Sequence, residues 1–454
     1  MQRKALADLT TWFNGSQRKP LVLRGARQVG KTWLVRHFAA ERGLRLIELN
    51  FEKNSKHKTF FQSNDPKEIL AHIEVELGVA IAIDHSLLFL DEIQAAPELL
   101  AKLRWFAEEM PGLAVIAAGS LLDFALAEHS FSMPVGRIGY YHLEPLSFEE
   151  FLLAKGNQPA FDFLQRYTLD QPIPEALHHK LLAYLKEYII VGGMPAAVAT
   201  IVNGEPWSAL QTIQHDLLAT YRDDFSKYAK RVPLDYLDAI LTSVPQCLGE
   251  KWVHTRVSQT LQAATLKKAL ELLVKARVIS TVQATAANGV PLAAEVHEKF
   301  FKVIGLDVGL ISASLGLHCN HLADIHNSTW VNQGGISEQL AGQLLRSLFP
   351  FYQEPKLYYW LRTTPGSNAE VDYVIQHQTQ VIPIEVKAGS TGTLKSLHLL
   401  MAKKQLPVAV RVSTQPPSLT PIDFKIHTGE QVHYQLLSIP FYLLGQLHRL
   451  LQRK

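Results

Sequence analysis

Two periods of apolar and polar residues alternate along the first 145 positions. Short runs dense in Leu, Val and Ile predict strands at Leu21–Gly25, Leu44–Asn50, Ser86–Glu92, Leu113–Ser120 and Ile138–Pro145. Between several of them lie segments of helical length, such as KTWLVRHFAAER and PELLAKLRWFAEEM. Near-continuous apolar strands separated by helices predict an α/β unit with a mostly parallel sheet covered on both faces. From about Ser147 to Thr220 the period becomes helical throughout, in FEEFLLAKG, HHKLLAYLKEYIIVGG and PWSALQTIQHDLLATY. Residues 233–315 carry further helices and then a hairpin, with VISTVQATA and AEVHEKFFKVI flanking the turn-like AANGVP. The remainder combines a helix around Glu338 with strand-like LYYWLR, EVDYVI, VIPIEVKA and LPVAVRVS.

Composition narrows the class without naming a partner. A chain of 454 residues suggests roughly two to four domains. An apolar fraction of 47% sets aside disorder and fibrous repeats. The formal net charge of +3 neither demands nor excludes a polyanion. Two cysteines, Cys247 and Cys319, build neither a disulfide framework nor a four-thiolate zinc site, and are expected as reduced thiols. The 19 histidines show no metal-ligand spacing. The first twenty residues hold no apolar core of signal-peptide length, and no window approaches the uninterrupted apolar length that spans a bilayer. The expectation is a soluble, cytoplasmic protein without a membrane partner, export by other routes left open.

The strongest chemical signal is Gly25-Ala26-Arg27-Gln28-Val29-Gly30-Lys31-Thr32, which matches the phosphate-binding GxxxxGK[ST] loop. It follows a predicted strand and opens a predicted helix, the context in which backbone N–H groups converge on phosphate oxygens. Lys31 is placed to reach the β- and γ-phosphates of ATP, and the Thr32 hydroxyl to ligate Mg²⁺. Further along, the apolar run Leu87–Leu90 ends in Asp91 and Glu92. A buried strand delivers its last residues to the ligand edge of a parallel sheet. Asp91 is therefore expected to hold Mg²⁺ through water, and Glu92 to polarise the attacking water.

With these motifs the chain resembles the AAA-type P-loop ATPases. More narrowly, it resembles the prokaryotic ATPase family whose C-terminal, restriction-endonuclease-like domain has no assigned function. The resemblance rests on GARQVGKT, LFLDEI, AAGS (Ala117–Ser120), Gly136-Arg137, LEPLSFEEF (Leu143–Phe151), VGGMP (Val191–Pro195), LDVGL (Leu306–Leu310), and EVDYVI with IEVKA. It implies an ATPase core over residues 1–146, a helical lid and linker over 147–232 and a nuclease-like domain over 317–454; between them, a helix followed by a hairpin reads as a winged-helix-like domain over 233–316, with the hairpin as its wing. It also implies that Ser120 senses the γ-phosphate and that Arg137 is an arginine finger offered to a neighbouring subunit. Gly193 and Pro195 would form the turn of a lid that contacts adenine. A homo-oligomer follows, by analogy a hexameric ring.

Two further patterns bear on function. Asp372, Glu385 and Lys387 form D-x12-E-V-K across two predicted strands, with Glu338 on the preceding helix as a fourth member. Strand alternation puts Glu385 and Lys387 on one face. The set resembles the PD-(D/E)xK nuclease core, in which carboxylates hold Mg²⁺ or Mn²⁺ and the lysine orients water. Two readings stay open: a live nuclease site with a second metal, and a scaffold whose carboxylates make salt bridges. Between Lys251 and Ser280 six cations (Lys251, Arg256, Lys267, Lys268, Lys275, Arg277) face one acid, Glu271, a surface suited to DNA phosphates. The function expected from all this is ATP binding and hydrolysis that drives conformational change or assembly on nucleic acid or a protein partner. The alternatives are an ATP-regulated, Mg-dependent DNA endonuclease and a non-enzymatic, ATP-switched scaffold.

Overall fold

The computed structural model describes the chain except for residues 121, 123–132, 226–231, 318–332, 363–368, 390–392, 427–428 and 453–454. Cys319 lies outside the described residues. The chain divides into two compact units. The first holds Met1–Glu144 together with Lys275–Arg277 and Phe349–Glu354, and the second holds the rest.

In the first unit, α1 (Lys4–Asn14) precedes β1 (Leu21–Arg24), α2 (Lys31–Glu41), β2 (Arg45–Asn50), α3 (Pro66–Leu77), β3 (Ser86–Asp91), α4 (Leu103–Glu109), β4 (Ala114–Gly119) and β5 (Gly139–His142). The strands form one sheet in the order β2-β3-β4-β1-β5, and every pairing is parallel. Each residue of β3 and β4 is buried, which is why neither strand alternates in sequence. On one face Val22, Leu88, Leu90, Val115 and Ala117 pack with Ile69, Ile73, Leu103 and Phe106. The α3 helix starts where Asp65 accepts from Lys67 N–H and Pro66 takes the first turn, and it stops at Gly78. Residues from far along the chain complete this unit. The Phe351 ring stacks on Tyr141 with centroids 5.0 Å apart, and the Phe351 carbonyl accepts from the His142 N–H at 2.8 Å.

The second unit combines helices with an eight-stranded sheet. Its helices include α5 (Phe148–Ala154), α6 (Glu175–Val191), α7 (Pro195–Val202), α8 (Trp207–Asp223) and α9 (Ala263–Lys275), whose last residue counts with the first unit. They are followed by β6 (Ile279–Thr285), β7 (Val296–Gly305), α10 (Val308–Ser314), α11 (Gln333–Arg346), β8 (Leu357–Leu361), β9 (Glu370–His377), β10 (Gln380–Val386), α12 (Lys395–Lys404), β11 (Val408–Ser413), β12 (Ser418–Lys425) and β13 (Gln431–Pro440). The strand order is β12-β13-β11-β10-β9-β8-β6-β7. The hairpin expected as the wing of a separate middle domain is thus part of the C-terminal sheet: β6 pairs antiparallel with β7 and parallel with β8, Val282 opposite Leu357. An isolated two-stranded ribbon is marginal in water, and the edge of β8 gives β6 a partner.

Three segments that carried the family resemblance meet at one buried carboxylate. Asp307 caps α10 and is fully buried. It accepts from Gly309 N–H (3.0 Å), Leu310 N–H (3.2 Å), Gly193 N–H (2.6 Å) and the Gln343 amide (3.0 Å). The Gly193 carbonyl accepts from Leu146 N–H at 2.7 Å, and the Tyr188 hydroxyl donates to the Leu146 carbonyl at 2.5 Å. Gly192 has φ +76, and a Cβ there would fall 2.0 Å from the Asp307 carboxylate. Only glycine meets both conditions. Among the described residues, no helix is long and apolar enough to cross a membrane.

Candidate nucleotide site and a buried carboxylate cluster

The phosphate loop connects β1 to α2 at the C-terminal edge of the first sheet. Gln28 and Gly30 take left-handed conformations (φ +62 and +96), and Gly30 caps α2. This turns the loop back over the helix N-terminus, where N–H groups favour anions. Lys31 is buried; its ammonium donates to the carbonyls of Gly25 (3.0 Å) and Ala26 (2.8 Å), two residues of the loop itself. Burial pulls its pKa down to about 8, only partly offset by Glu92 and Asp91. An added phosphate would supply the missing countercharge.

Asp91 and Glu92 stand opposite. The Thr32 hydroxyl lies 3.2 Å from each carboxylate oxygen of Asp91. Asn50, at the end of β2 and in register with Asp91, donates to the same carboxylate at 3.1 Å. Burial, then the neighbouring Glu92, raises the Asp91 carboxyl to about 6. A hydroxyl and a carboxylate in contact are the hard oxygen donors that a partly hydrated Mg²⁺ takes, so the residues present fit the ion. Glu92 has φ +52, a strained conformation for a non-glycine residue, and its carboxylate accepts from the Gln94 amide at 2.5 Å. Ser120 follows β4, whose last residue, Gly119, is in register with Arg24 beside the loop. The Ser120 hydroxyl is buried, with no hydrogen-bond partner among the described residues. Arg137 is half exposed and pairs with Glu108 at 2.6 Å within the same unit.

The structure therefore brings Gly25–Thr32, Asp91, Glu92 and Ser120 to one edge of one sheet. Asn50 and Gln94 were missed. Asn50 was detectable in principle as a polar residue ending an apolar strand at the ligand edge. Gln94 sits two residues past Glu92 with no signal of its own. Gly193 and Pro195 lie in the second unit, where Gly193 joins the Asp307 network and Pro195 opens α7. Of the six cations of the middle segment, five are exposed. The sixth, Arg277, is buried in the first unit, its guanidinium 3.1 Å from Glu354. The apolar stripe of α9 is buried at Leu266, Leu270 and Leu273, which leaves Lys267 and Lys268 facing solvent.

The C-terminal residues also converge, in the second unit, with a cation between them that the motif did not include. Lys302, on β7, is buried and sends its ammonium to Glu370 (2.9 Å), Glu338 (3.0 Å) and Asp372 (3.8 Å). Glu385 pairs with Lys387 at 2.7 Å, and Asp372 accepts from Val386 N–H at 2.7 Å. Burial, then Asp372, raises both Glu338 and Glu385 to about 7. Among the described residues no group of His, Cys, Asp and Glu is arranged to hold a metal ion. The reading of a live site with a second Mg²⁺ or Mn²⁺, one of the two left open by the sequence, therefore finds no support. The physical reason is that the carboxylates turn toward an ammonium.

A parallel five-stranded sheet, a phosphate loop and an acidic strand end in contact with it define an AAA-type P-loop ATPase-like domain. Residues 17–152 match the family model described as an AAA domain. Residues 182–320 match a domain of unknown function (DUF8612) and residues 333–432 another (DUF4143). None of the curated proteins matches the chain. Among solved structures, a Walker-type ATPase of Pyrococcus abyssi is similar at 17% identity, over 69% of this chain and 95% of that one, with a TM-score of 0.42. The Aeropyrum pernix ORC2 protein is similar at 15% identity over 72% and 94%, TM-score 0.33. The Thermotoga maritima RuvB Holliday junction branch migration motor is similar at 16% over 61% and 87%, TM-score 0.28.

Proposed function

We propose that this protein binds ATP with Mg²⁺ and hydrolyses it, and that its nucleotide state drives a conformational change or assembly. The observation that carries the reading is the contact of Thr32 with Asp91, beside a strained Glu92. Lys31 and the loop N–H groups hold the phosphates, and Thr32 and Asp91 hold Mg²⁺, which supplies charge neutralisation. Asn50 orients Asp91. Glu92, once released by Gln94, accepts a proton from the attacking water, and Ser120 takes up a γ-phosphate contact.

Arg137, half exposed, serves as the cation a neighbouring subunit receives, which makes the active form an oligomer. The exposed lysines of α9 suit a nucleic-acid partner. Isothermal titration and phosphate release test the central claim. Wild type should bind and turn over ATP·Mg, whereas Glu92→Gln should bind and not turn over. Undiminished hydrolysis by Glu92→Gln would sink it.

A further inference from the structure

Lys302 lies on β7, on the strand segment FFKVI, where flanking residues are aromatic or aliphatic. An ammonium there has to be neutralised, because an isolated buried charge is not tolerated. Three carboxylates from two other elements meet it: Glu338 from α11, and Glu370 and Asp372 from β9. Glu370 and Glu338 stand at hydrogen-bond distance and Asp372 at ion-pair distance, and the Tyr359 ring lies 5.3 Å from the same nitrogen. Burial opposes the ammonium, but Glu338, Asp372 and Glu370 outweigh it and hold its pKa far above the ordinary lysine value.

A divalent ion bound by Glu338 and Asp372 would use the same oxygens. It would then stand within a few ångströms of the ammonium, in a setting where like charges repel strongly. To take those oxygens the ion has to displace the ammonium from Glu338 and Asp372.

We propose that Lys302 is the resident cation of this cluster. It fills, on Glu338, Glu370 and Asp372, the place of a divalent metal, so that the C-terminal sheet is held by an internal ion network and does not cleave phosphodiesters. The remaining pair, Glu385 and Lys387, is then a flanking salt bridge and not a water-activating couple. One consequence is specific. Removing the ammonium while keeping the stem leaves three carboxylates facing one another, a set of hard oxygens that suits Mn²⁺.

The test uses the full chain and Mn²⁺ alone as the probe, with Asp372→Asn to distinguish this site from the nucleotide site. The difference in melting temperature between Mn²⁺ and EDTA should be the same for wild type and Asp372→Asn, and wild type should show no Mn²⁺ uptake that disappears with Asp372→Asn. Lys302→Met should melt well below wild type in EDTA and recover most of the loss in Mn²⁺. To keep the test decisive if Lys302→Met does not fold without metal, the charge-balanced Lys302→Met/Glu338→Gln protein serves as a second arm. It should be more stable in EDTA than Lys302→Met alone. Asp372-dependent Mn²⁺ uptake or plasmid nicking by wild type would overturn the proposal, as would a Lys302→Met protein as stable in EDTA as wild type.

Discussion

Thr32 and Asp91, 59 residues apart in the chain, are in hydrogen-bond contact: the Thr32 hydroxyl lies 3.2 Å from both oxygens of the Asp91 carboxylate. The contact exists because β1 and β3 run parallel in one sheet, so the loop after one and the end of the other share an edge. It gives Mg²⁺ a hydroxyl and a carboxylate already in place. Lys31→Ala should abolish ATP binding in isothermal titration, since no other loop side chain carries the ammonium to the phosphates. Thr32→Ala and Asp91→Asn should retain weak nucleotide binding and lose its enhancement by Mg²⁺.

The raised Asp91 carboxyl makes a prediction about pH. Its folded pKa of about 6 lies above the ordinary 3.8, so the fold favours the protonated form. Below the ordinary value both states are protonated and nothing is lost. As pH rises from 3.8 to about 6 the unfolded state gives up its proton while the folded state keeps it, so stability falls across that window; above about 6 both are ionised and the loss is complete. Without Mg²⁺ and nucleotide, Asp91→Asn should therefore gain on wild type between pH 4 and 7, by about 2 kcal/mol for a shift of this size in a mostly buried group. Denaturant titrations at both pH values would measure the gain. A difference that is flat with pH would contradict the assignment.

Arg137 spends its charge on Glu108 within its own unit. If the same guanidinium completes a neighbour's site, Arg137→Ala should bind ATP as wild type does yet hydrolyse it about 10³-fold more slowly. Mixing Arg137→Ala with Glu92→Gln subunits should restore part of the turnover, because composite sites form. Glu108→Gln should raise turnover by freeing Arg137. Turnover per subunit that is constant on dilution to monomer would speak against a role in trans.

Asp307 holds four donors in the interior of the second unit. Asp307→Ala leaves three backbone N–H groups buried without an acceptor, a loss of about 3–5 kcal/mol at one to three per orphaned group with partial compensation. Asp307→Asn keeps one oxygen for two of the four donors and turns an N–H₂ group toward the other two, so it should cost less than Asp307→Ala without approaching wild type. Gly192→Ala should be at least as damaging as Asp307→Ala, since its methyl group has nowhere to go. Thermal melts of the soluble proteins rank the three.

The parallel sheet of the first unit was legible because its strands are buried on both faces and so read as unbroken apolar runs. Leu87–Leu90 before Asp91 is the clearest case. The phosphate loop was legible because its geometry demands glycine at Gly30 and a cation next to it. The C-terminal motif residues were legible as a group, yet the chemistry of the group was not. Lys302 sits on a strand whose own pattern gives it no role, and its partners Glu338 and Asp372 come from other elements. Asn50 and Gln94 were hidden for the same reason: their meaning lies in what they touch. The hairpin β6–β7 was visible as a hairpin, but the pairing of β6 with β8 depends on a sheet edge formed 70 residues later, a relation with no local signature.

Tyr141 and His142, on the edge strand of the first unit, find their partner in Phe351. During synthesis the ribosome must therefore read more than two hundred codons past β5 before that edge is covered. Until then the nascent chain carries an aromatic strand edge open to other chains. A gene shortened to stop after β5 would leave the His142 N–H and the Tyr141 ring without these contacts, so a fragment of the nucleotide-binding unit keeps them only by carrying the residues around Phe351, supplied in trans as a peptide or grafted back by a short linker.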